Sequence, residues 1–326
     1  MTTVCILGIG LIGGSLLRDL KARDIPAFAY NRTPSSVEEA RREGFDVSAD
    51  LDATLRRADS EGALIVIATP MDSLPGLLER LRELAPHCGF TDVVSVKGAV
   101  WQLVQELGME ANYVGGHPMA GTADSGWSAT QTGLFEGAAW VVTYDYAAGL
   151  VADEGEDAVP TQWIEYFKTV VELADTVGAE VVPALADNHD MAVAKISHLP
   201  HVLAETLAIV GDRGGALTLS LAAGSYRDGT RVAGSSVNLV RNMLENNTSA
   251  LLNSLDDALE ILHGVRDDLA ADDPALGEFV GAGYTARVRF DARHGMRPVF
   301  RVNAGLDGWV GQLEQAETLG ARILLF

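Results

Sequence analysis

The stretch from Gly115 to Thr122, which reads GGHPMAGT, holds the residue types best suited to chemistry in this chain. Glycine lets a ligand approach the backbone closely, and Pro118 fixes the chain direction directly after His117. An imidazole exchanges protons near neutrality, with an ordinary pKa of about 6.5, so His117 is a candidate proton acceptor. On these residues alone, a glycine-rich turn with an incidental histidine is an alternative.

A second candidate site begins where GIGLIG follows the apolar run Val4 to Leu7 and precedes a segment with helical spacing. A strand, a G-x-G-x-x-G turn and a helix together are typical of dinucleotide binding, because free amides and the helix dipole favour a pyrophosphate at the helix N-terminus. A plain strand-to-helix turn is the alternative. The predicted cofactor contacts in this motif are Gly8, Gly10, Leu11, Ile12 and Gly13.

The residues after the second predicted strand, Ala27 to Tyr30, indicate which dinucleotide is bound. An NAD site usually carries an acidic residue here to hold the ribose 2′-hydroxyl, but this chain continues with Asn31, Arg32 and Thr33. A guanidinium and nearby hydroxyls, including that of Ser36, suit a 2′-phosphate. We therefore expect NADP, with NAD as the alternative; a polar surface loop without a function is a further alternative.

Strand-like and helix-like runs alternate up to residue 184, which predicts a Rossmann-type, doubly wound α/β domain over residues 1–184. Ligands of such sheets bind beyond the carboxyl ends of the strands. Thr69 and Pro70 end one predicted strand, Ser95 lies towards the end of another, Asp92 to Val96, and His117 follows a third. We expect Thr69 and Pro70 at the cofactor, and Ser95 and His117 at the same crevice.

Residues 185–285 are predicted as an all-helical domain. Ala186 to Val210 has the pattern of one long helix with a kink at Pro200, which lacks an amide hydrogen. His198 and His201 flank the kink, but no third ligand at suitable spacing indicates a metal site. Leucines recur with helical spacing between residues 247 and 269, which indicates either core or the interface of a homodimer.

Two further segments are read from their local patterns. Residues 222–231 are predicted as a polar loop that carries Arg227 and Arg231. The tail, residues 286–326, contains alternating runs at 287–290 and 299–302, which predict a hairpin, and then a helix from Trp309 to Leu319. The sequence indicates no function for the tail.

Length and composition limit the classes of protein to consider. With 326 residues, 48% hydrophobic and 21% charged, the chain has the size and composition of two globular domains. The net charge of −21 disfavours nucleic acids and anionic membranes as partners. The sequence has no apolar run of membrane-spanning length and no signal-peptide pattern, and Cys5 and Cys88 fit no metal spacing, so we expect a cytoplasmic protein with a small-molecule substrate.

Five sequence patches together resemble the prephenate/arogenate dehydrogenases of tyrosine biosynthesis. They are GIGLIGGS from Gly8, SVKG from Ser95, GHPMAGT from Gly116, ISHLPH from Ile196 and RDGTRVA from Arg227. The first patch is common to many enzymes, whereas the middle patches in this order are specific. The resemblance runs from Val4 to about Asn247, and it implies a nucleotide-binding domain joined to a helical domain that dimerises.

The resemblance implies an oxidative decarboxylation in which a hydride leaves the hydroxyl-bearing ring carbon for the nicotinamide and the ring carboxylate leaves as carbon dioxide. His117 would accept the hydroxyl proton, and Ser95 would hold the same hydroxyl or the histidine. Arg231 would pair with the carboxylate. The other residues implied for the substrate site are His201, Thr122, Arg227, Asp228 and Ser197.

Three positions depart from the commoner family pattern. Ala123 stands where an acidic residue often follows Thr122, and Val240 stands where a tryptophan often follows Arg231. These two departures leave open whether the substrate carries a pyruvyl side chain, as prephenate does, or an alanyl side chain, as arogenate does. The third departure, Asn31 in place of an acid, favours NADP.

Two other functions are compatible with parts of the sequence. β-Hydroxyacid dehydrogenases share the glycine motif and carry a catalytic lysine where this chain has Lys195, but they have an asparagine at the position of Leu199 and lack the HPMAG loop. A non-catalytic NAD(P)-sensing Rossmann module would not need His117, Ser95 and Arg231 together. Substrate-dependent reduction of NADP distinguishes the three functions.

Overall fold

The computed structural model describes residues 2–122, 124–293 and 297–326, and the chain divides by its contacts into two units. The first unit comprises Met1–His189 and Pro298–Phe326, and the second comprises Asp190–Arg297. Ala123, one of the three departures from the family pattern, lies outside the described residues. No helix among the described residues is long and apolar enough to cross a membrane.

A five-stranded parallel sheet forms the centre of the first unit, with the strand order β3-β2-β1-β4-β5. The strands are β1 Val4–Leu7, β2 Ala27–Tyr30, β3 Val47–Ser48, β4 Leu64–Ile67 and β5 Phe90–Asp92. The two central strands, β1 and β4, are apolar and buried along their whole length, as strands covered on both faces must be. The order confirms the predicted doubly wound, Rossmann-type fold.

Helices connect these strands, and local signals define where some of them end. They are α1 Leu11–Ala22, α2 Pro34–Arg42, α3 Leu51–Glu61, α4 Leu74–Leu84 and α5 Gly98–Glu106. The side chain of Asp50 caps α3 by accepting a hydrogen bond from the amide of Ala53 at 3.0 Å. The same helix ends at Gly62, which has the left-handed conformation that favours glycine.

A second, three-stranded sheet contains His117. Its strands are β6 Gly116–Pro118, β7 Ala139–Thr143 and β8 Glu180–Ala184, with β6 antiparallel and β8 parallel to β7. The glycine-rich stretch, which its three glycines and Pro118 predict to be a loop, is in part a strand: His117 lies on β6, opposite Val141. Three further helices follow in this part of the chain: α6 Asp145–Glu154, α7 Thr161–Thr176 and α8 Ala186–Val193.

The second unit is all-helical, as predicted. Its helices are α9 Leu199–Arg213, α10 Gly215–Ser220, α11 Gly224–Gly229, α12 Val237–Glu245, α13 Thr248–Ala270 and α14 Gly277–Arg293. The break predicted near Pro200 takes the form of a π-helical turn, Ala194–His198, directly before α9. The predicted polar loop is wrong, because α11 and a 3₁₀ turn, Arg231–Gly234, occupy it; the Tyr226 hydroxyl donates to the carbonyl of Ala208 and packs this segment onto α9.

The C-terminal tail forms a β-α-β segment that belongs to the first unit: β9 Val299–Val302, α15 Trp309–Leu319 and β10 Arg322–Leu325, with the two strands parallel. The helix is as predicted, but the hairpin is wrong. Residues 287–290 lie in α14, where Arg287 and Asp291, one helical turn apart, form an ion pair of 2.9 Å. The domain boundaries predicted after residues 184 and 285 stay predictions; the contacts divide the chain after His189 and after Arg297.

Candidate active site

A cavity of about 750 Å³ lies beside the carboxyl ends of β1, β2 and β4. Most of the predicted cofactor residues line it, namely Gly8, Gly10, Asn31, Arg32, Thr33, Ser36, Thr69 and Pro70. Leu11, Ile12 and Gly13 do not line the cavity but form the first turn of α1. A side chain at Gly13 would lie 2.0 Å from the carbonyl oxygen of Gly8, so this glycine allows the helix to pack closely on the turn.

The cavity fits a dinucleotide in three respects. Gly8 has a φ of +104°, and a β-carbon there would lie 2.5 Å from the carbonyl oxygen of Ala68, so the turn requires glycine. A β-carbon at Gly10 would meet no atom within 4 Å, which leaves the N-terminus of α1 open to a ligand. Among the described residues, the buried hydroxyl oxygen of Thr69 has no hydrogen-bond partner, so it can bind a polar group of the ligand.

The side chains that would distinguish NADP from NAD line the same cavity. The Asn31 side chain accepts a hydrogen bond from the amide of Ile9 at 3.3 Å and so supports the glycine turn. Arg32 is exposed, and its guanidinium has no carboxylate or hydrogen-bond partner among the residues that the structure describes. A guanidinium in this state is available to a phosphate without first breaking an ion pair.

His117 pairs with a second histidine that the sequence patterns did not indicate. Its Nδ1 lies 2.8 Å from Nε2 of His189, a buried residue on α8. One ring donates and the other accepts, and which does so depends on the tautomer. If His117 donates from Nδ1, its Nε2 is the nitrogen that can take up a proton, and His189 holds the His117 ring in that orientation.

A buried ion pair holds the strand on which His117 lies. Lys97 is 1% exposed and pairs with the fully buried Asp92, and its ammonium also donates to the carbonyl of Gly116 at 2.7 Å. The other carboxylate oxygen of Asp92 accepts a hydrogen bond from the Tyr113 hydroxyl at 2.6 Å. Lys97 therefore holds the carbonyl of the residue directly before His117, and Asp92 and Tyr113 complete the buried group.

The fifth strand is predicted over Asp92 to Val96, but β5 runs from Phe90 to Asp92, so the predicted bounds are wrong, and Asp92 explains where the strand ends. Its side chain accepts a hydrogen bond from the amide of Val94 at 2.8 Å, a turn that ends the strand at Asp92 instead of Val96. Ser95 therefore lies in a half-buried turn just past the carboxyl end of β5, between the two members of the ion pair in sequence. Ser95 is not among the residues that line the cofactor cavity, and its predicted role stays a prediction.

The segment that follows β6 packs on α1, the helix that begins in the glycine motif. Trp127 lines the cofactor cavity, and the guanidinium of Arg18 lies 4.4 Å from the centre of its ring. Glu43 accepts a hydrogen bond from the Trp127 indole at 2.8 Å and pairs with Arg18 at 2.7 Å. A β-carbon at Gly14 would lie 2.4 Å from Thr130, so the glycine after the motif is needed for this packing.

Thr122 is the least supported of the predicted substrate residues in the first unit. Its side chain is exposed, and its hydroxyl accepts a hydrogen bond from the amide of Asp124 at 3.3 Å. This short-range bond supports the loop after His117, and the predicted part of Thr122 in the substrate site stays a prediction.

The other predicted substrate residues lie in the second unit, where Arg231 and His201 influence each other. Burial lowers the pKa of His201; the negative charge of Glu205 opposes this change and the positive charge of Arg231 adds to it. The Nδ1 atom of His201 is buried and has no hydrogen-bond partner among the described residues. A neutral ring with an unused polar atom beside an exposed arginine suits binding of a polar substrate group.

Three further predicted residues have local partners in the second unit. Arg227 and Asp228 are exposed and paired with each other at 3.2 Å, and the Ser197 hydroxyl lies 3.9 Å from the sulfur of Met243. His198 is buried and bound to Asn247, at 3.1 Å, which indicates a structural role. Among the described residues, no cluster of three or more His, Cys, Asp or Glu side chains could hold a metal ion.

Most of the chain matches two profiles of one known protein family. The family profile described as "Prephenate dehydrogenase, nucleotide-binding domain" matches residues 18–181, and "Prephenate dehydrogenase, dimerization domain" matches residues 185–277. The chain is 30% identical to a prephenate dehydrogenase of Bacillus subtilis over 287 residues, which cover 83% of this chain and 71% of the relative.

Solved structures give the same result. A Corynebacterium glutamicum protein, provisionally named a prephenate dehydrogenase, is 55% identical with a TM-score of 0.95, and the match covers 100% of this chain and 99% of that one. The arogenate dehydrogenase of Synechocystis is 28% identical with a TM-score of 0.71, covering 89% of this chain and 100% of that one. The chain therefore belongs to the prephenate dehydrogenase family of NAD(P)-dependent oxidoreductases.

Proposed function

We propose that the protein catalyses the NADP-dependent oxidative decarboxylation of prephenate or arogenate, as a step of tyrosine biosynthesis. The observation that carries the proposal is the pairing of His117 with His189 at 2.8 Å, on a strand held by the buried Lys97. This arrangement orients the ring of a candidate base in the unit that carries the nucleotide-binding fold. Family membership supplies the reaction class, and the named relatives include both a prephenate and an arogenate dehydrogenase.

The reaction needs a proton acceptor at the ring hydroxyl and a cation at the ring carboxylate. His117 takes the hydroxyl proton at Nε2 as the carbon–oxygen bond becomes a carbonyl, and Ser95 helps to hold that hydroxyl. The nicotinamide, when bound, supplies the acceptor for the hydride of the same carbon. Arg231 holds the carboxylate until the carbon–carbon bond breaks. The electron pair of that bond enters the ring, carbon dioxide leaves, and His117 returns the proton to the phenolate oxygen.

The direct test is to follow reduction of the nicotinamide with prephenate and with arogenate, each with NAD and with NADP. The proposal expects substrate-dependent reduction with at least one of the two acids and a higher kcat/KM with NADP than with NAD. The result also decides between the pyruvyl and the alanyl side chain, which Ala123 and Val240 leave open. A folded, dinucleotide-binding protein that oxidises neither acid would contradict the proposal and favour the sensing module.

The preference for NADP over NAD should depend on Arg32. Replacing Arg32 by alanine should raise the KM for NADP about tenfold to a hundredfold, because a charge-assisted bond to the 2′-phosphate contributes roughly 1.5–3 kcal/mol. The KM for NAD should stay nearly unchanged, since NAD has no phosphate there. Arg42→Ala, which removes an exposed arginine that pairs with Glu38 on α2, is the matched control. Equal changes for the two cofactors would refute the role of Arg32.

We propose that the protein is a homodimer formed through the second unit. Most large apolar side chains that are exposed in the single chain lie there, α14 has no buried residue, and α13 has only Ser254 buried. An apolar surface of this extent is typical of an interface. Light scattering at micromolar concentration should give twice the chain mass of 34.6 kDa.

A charge on this surface should weaken the dimer. Leu262→Lys on α13, where the side chain is 49% exposed, should shift the protein towards a monomer. The control is Leu319→Lys, since Leu319 is 54% exposed on α15 in the other unit. A monomeric wild-type protein, or equal behaviour of the two variants, would count against an interface on α13.

We also propose a cytoplasmic location. Both cysteines, Cys5 and Cys88, are buried and free, and burial raises the pKa of Cys88 to about 12, so they form part of the core without forming a disulfide. Free buried thiols are usual in proteins of a reducing compartment.

A further inference from the structure

The C-terminal β-α-β segment has no part in the proposed chemistry, yet one of its side chains reaches the helix that carries His189. Glu317 is half-buried in the last turn of α15. Its Oε1 accepts hydrogen bonds from the amide of Leu185 at 3.1 Å and from the Asn188 side chain at 2.9 Å. Its Oε2 accepts a hydrogen bond from the hydroxyl of Tyr144, which is fully buried.

These bonds lie at the N-terminus of α8, where the first amides of a helix lack partners within it. Leu185 precedes the first residue of the helix, Ala186, whose amide donates to the two carboxylate oxygens of Asp145 at 3.0 and 3.1 Å. Two carboxylates from different parts of the chain therefore cap α8. The helix dipole favours negative charge at this end as well.

The surroundings of Glu317 keep its hydrogen bonds in place. Burial, and then the bond to Glu317, raise the pKa of Tyr144 well above its ordinary value, so the hydroxyl stays protonated and remains a donor. Burial raises the pKa of Asp145 to about 6, with further contributions from the charges of Asp187 and Glu317. The hydrogen bond from the amide of Ala186 opposes this rise, so Asp145 and Glu317 hold the start of α8 together.

His189 is one helical turn from this cap. Its amide donates to the carbonyl of Leu185 at 2.9 Å, and its ring nitrogen Nε2 lies 2.8 Å from Nδ1 of His117. A movement of the cap therefore moves the ring that orients His117. We propose that Glu317 is a positioning residue of the catalytic step: by holding Leu185 and Asn188, it keeps His189 within hydrogen-bond distance of His117. The inference rests on the proposed role of His117 as the base.

The test compares three variants of the full-length protein. Glu317→Ala should lower kcat about tenfold to a hundredfold, the effect of a misplacement of about 1 Å at a catalytic group. The KM for NADP should stay within about twofold, because neither α8 nor α15 lines the cofactor cavity. Glu317→Gln retains an oxygen that can accept the hydrogen bonds from Leu185 and Asn188, so this variant should keep most of the wild-type kcat. Glu314→Ala removes an exposed carboxylate of the same helix and should have no effect.

A loss of stability alone would lower the fraction of active protein, so kcat is expressed per NADP-binding site. Glu317→Ala is then combined with His189→Ala. If Glu317 acts through His189, Glu317→Ala should lower kcat only slightly further in a protein that already lacks the His189 ring. A full additional loss in the double variant, or a kcat within twofold of wild type in Glu317→Ala, would overturn the inference.

A measurement without turnover separates this inference from the proposed function. In the ¹⁵N spectrum of labelled imidazoles, the Nδ1 resonance of His117 should move in Glu317→Ala and stay in place in Glu314→Ala. An unmoved resonance would overturn the inference, whatever the enzyme oxidises. A wild-type protein inactive with both acids would instead refute the proposed function, and normal turnover in Glu317→Ala would refute the inference alone.

Discussion

Replacing His117 by asparagine is expected to lower kcat by about 10²–10⁴-fold, the usual contribution of a general base. Asparagine keeps a hydrogen-bonding group at the same position of β6 but cannot take up the hydroxyl proton. The bond between the ring and His189, 2.8 Å long in the structure, disappears with the ring. Steady-state kinetics with whichever of prephenate and arogenate the enzyme oxidises measure the effect.

The matched comparison is Arg231→Ala, which should act mainly on KM for the substrate, because Arg231 holds the carboxylate and does not move the proton. The pH profile gives a second control. The wild-type rate should fall as the pH is lowered through the range in which an imidazole becomes protonated, since a protonated ring cannot accept a proton. Near-normal turnover in His117→Asn, with this acid limb intact, would show that another group takes the proton.

Replacing Lys97 by methionine is expected to lower the free energy of unfolding by about 3–5 kcal/mol. Methionine fills a similar volume but leaves the fully buried carboxylate of Asp92 without its cation. The carbonyl of Gly116 also loses its donor at 2.7 Å. Urea unfolding monitored by circular dichroism measures the change. Because Gly116 precedes His117, kcat should fall as well in the variant that remains folded.

Two further variants show whether burial of the ion pair causes the loss of stability in Lys97→Met. Lys168→Met breaks a partly exposed ion pair with Glu165, at 2.9 Å, and should cost less than about 1 kcal/mol. Combining Lys97→Met with Asp92→Asn removes both buried charges and should recover part of the lost stability. A cost for Lys97→Met as small as that for Lys168→Met would mean that the buried pair contributes little to folding.

Much of the nucleotide-binding fold is evident from local sequence. The run from Val4 to Leu7 is apolar on both faces, and only a strand covered on both sides needs such a run. The glycine motif then requires a tight turn and a helix, since Gly8 has a positive φ and Gly13 touches the turn. Local patterns also predict the 309–319 helix and α13, because helical spacing repeats over several turns.

Short segments are where local patterns were wrong. Residues 287–290 alternate between arginine and apolar side chains, but four residues are too few to distinguish a strand from part of a helix. The strand that pairs with β9 is β10. The two strands are parallel and are connected by α15, so they cannot form a hairpin, whose strands are antiparallel. The 222–231 segment is polar but still forms the helix α11. Tyr226 of this helix anchors it, because its hydroxyl donates a hydrogen bond to the carbonyl of Ala208 on α9.

The sequence by itself determined the family, the nucleotide-binding fold and the residue types of the site, since each depends on short runs of neighbouring residues. Only the tertiary structure decided what surrounds His117. Its partner His189 is 72 residues away in the chain, and Lys97 binds the carbonyl of a residue 19 positions further on. Glu317 reaches Leu185 over 132 positions. Such contacts leave no spacing pattern, because packing and burial of the whole unit bring these side chains together.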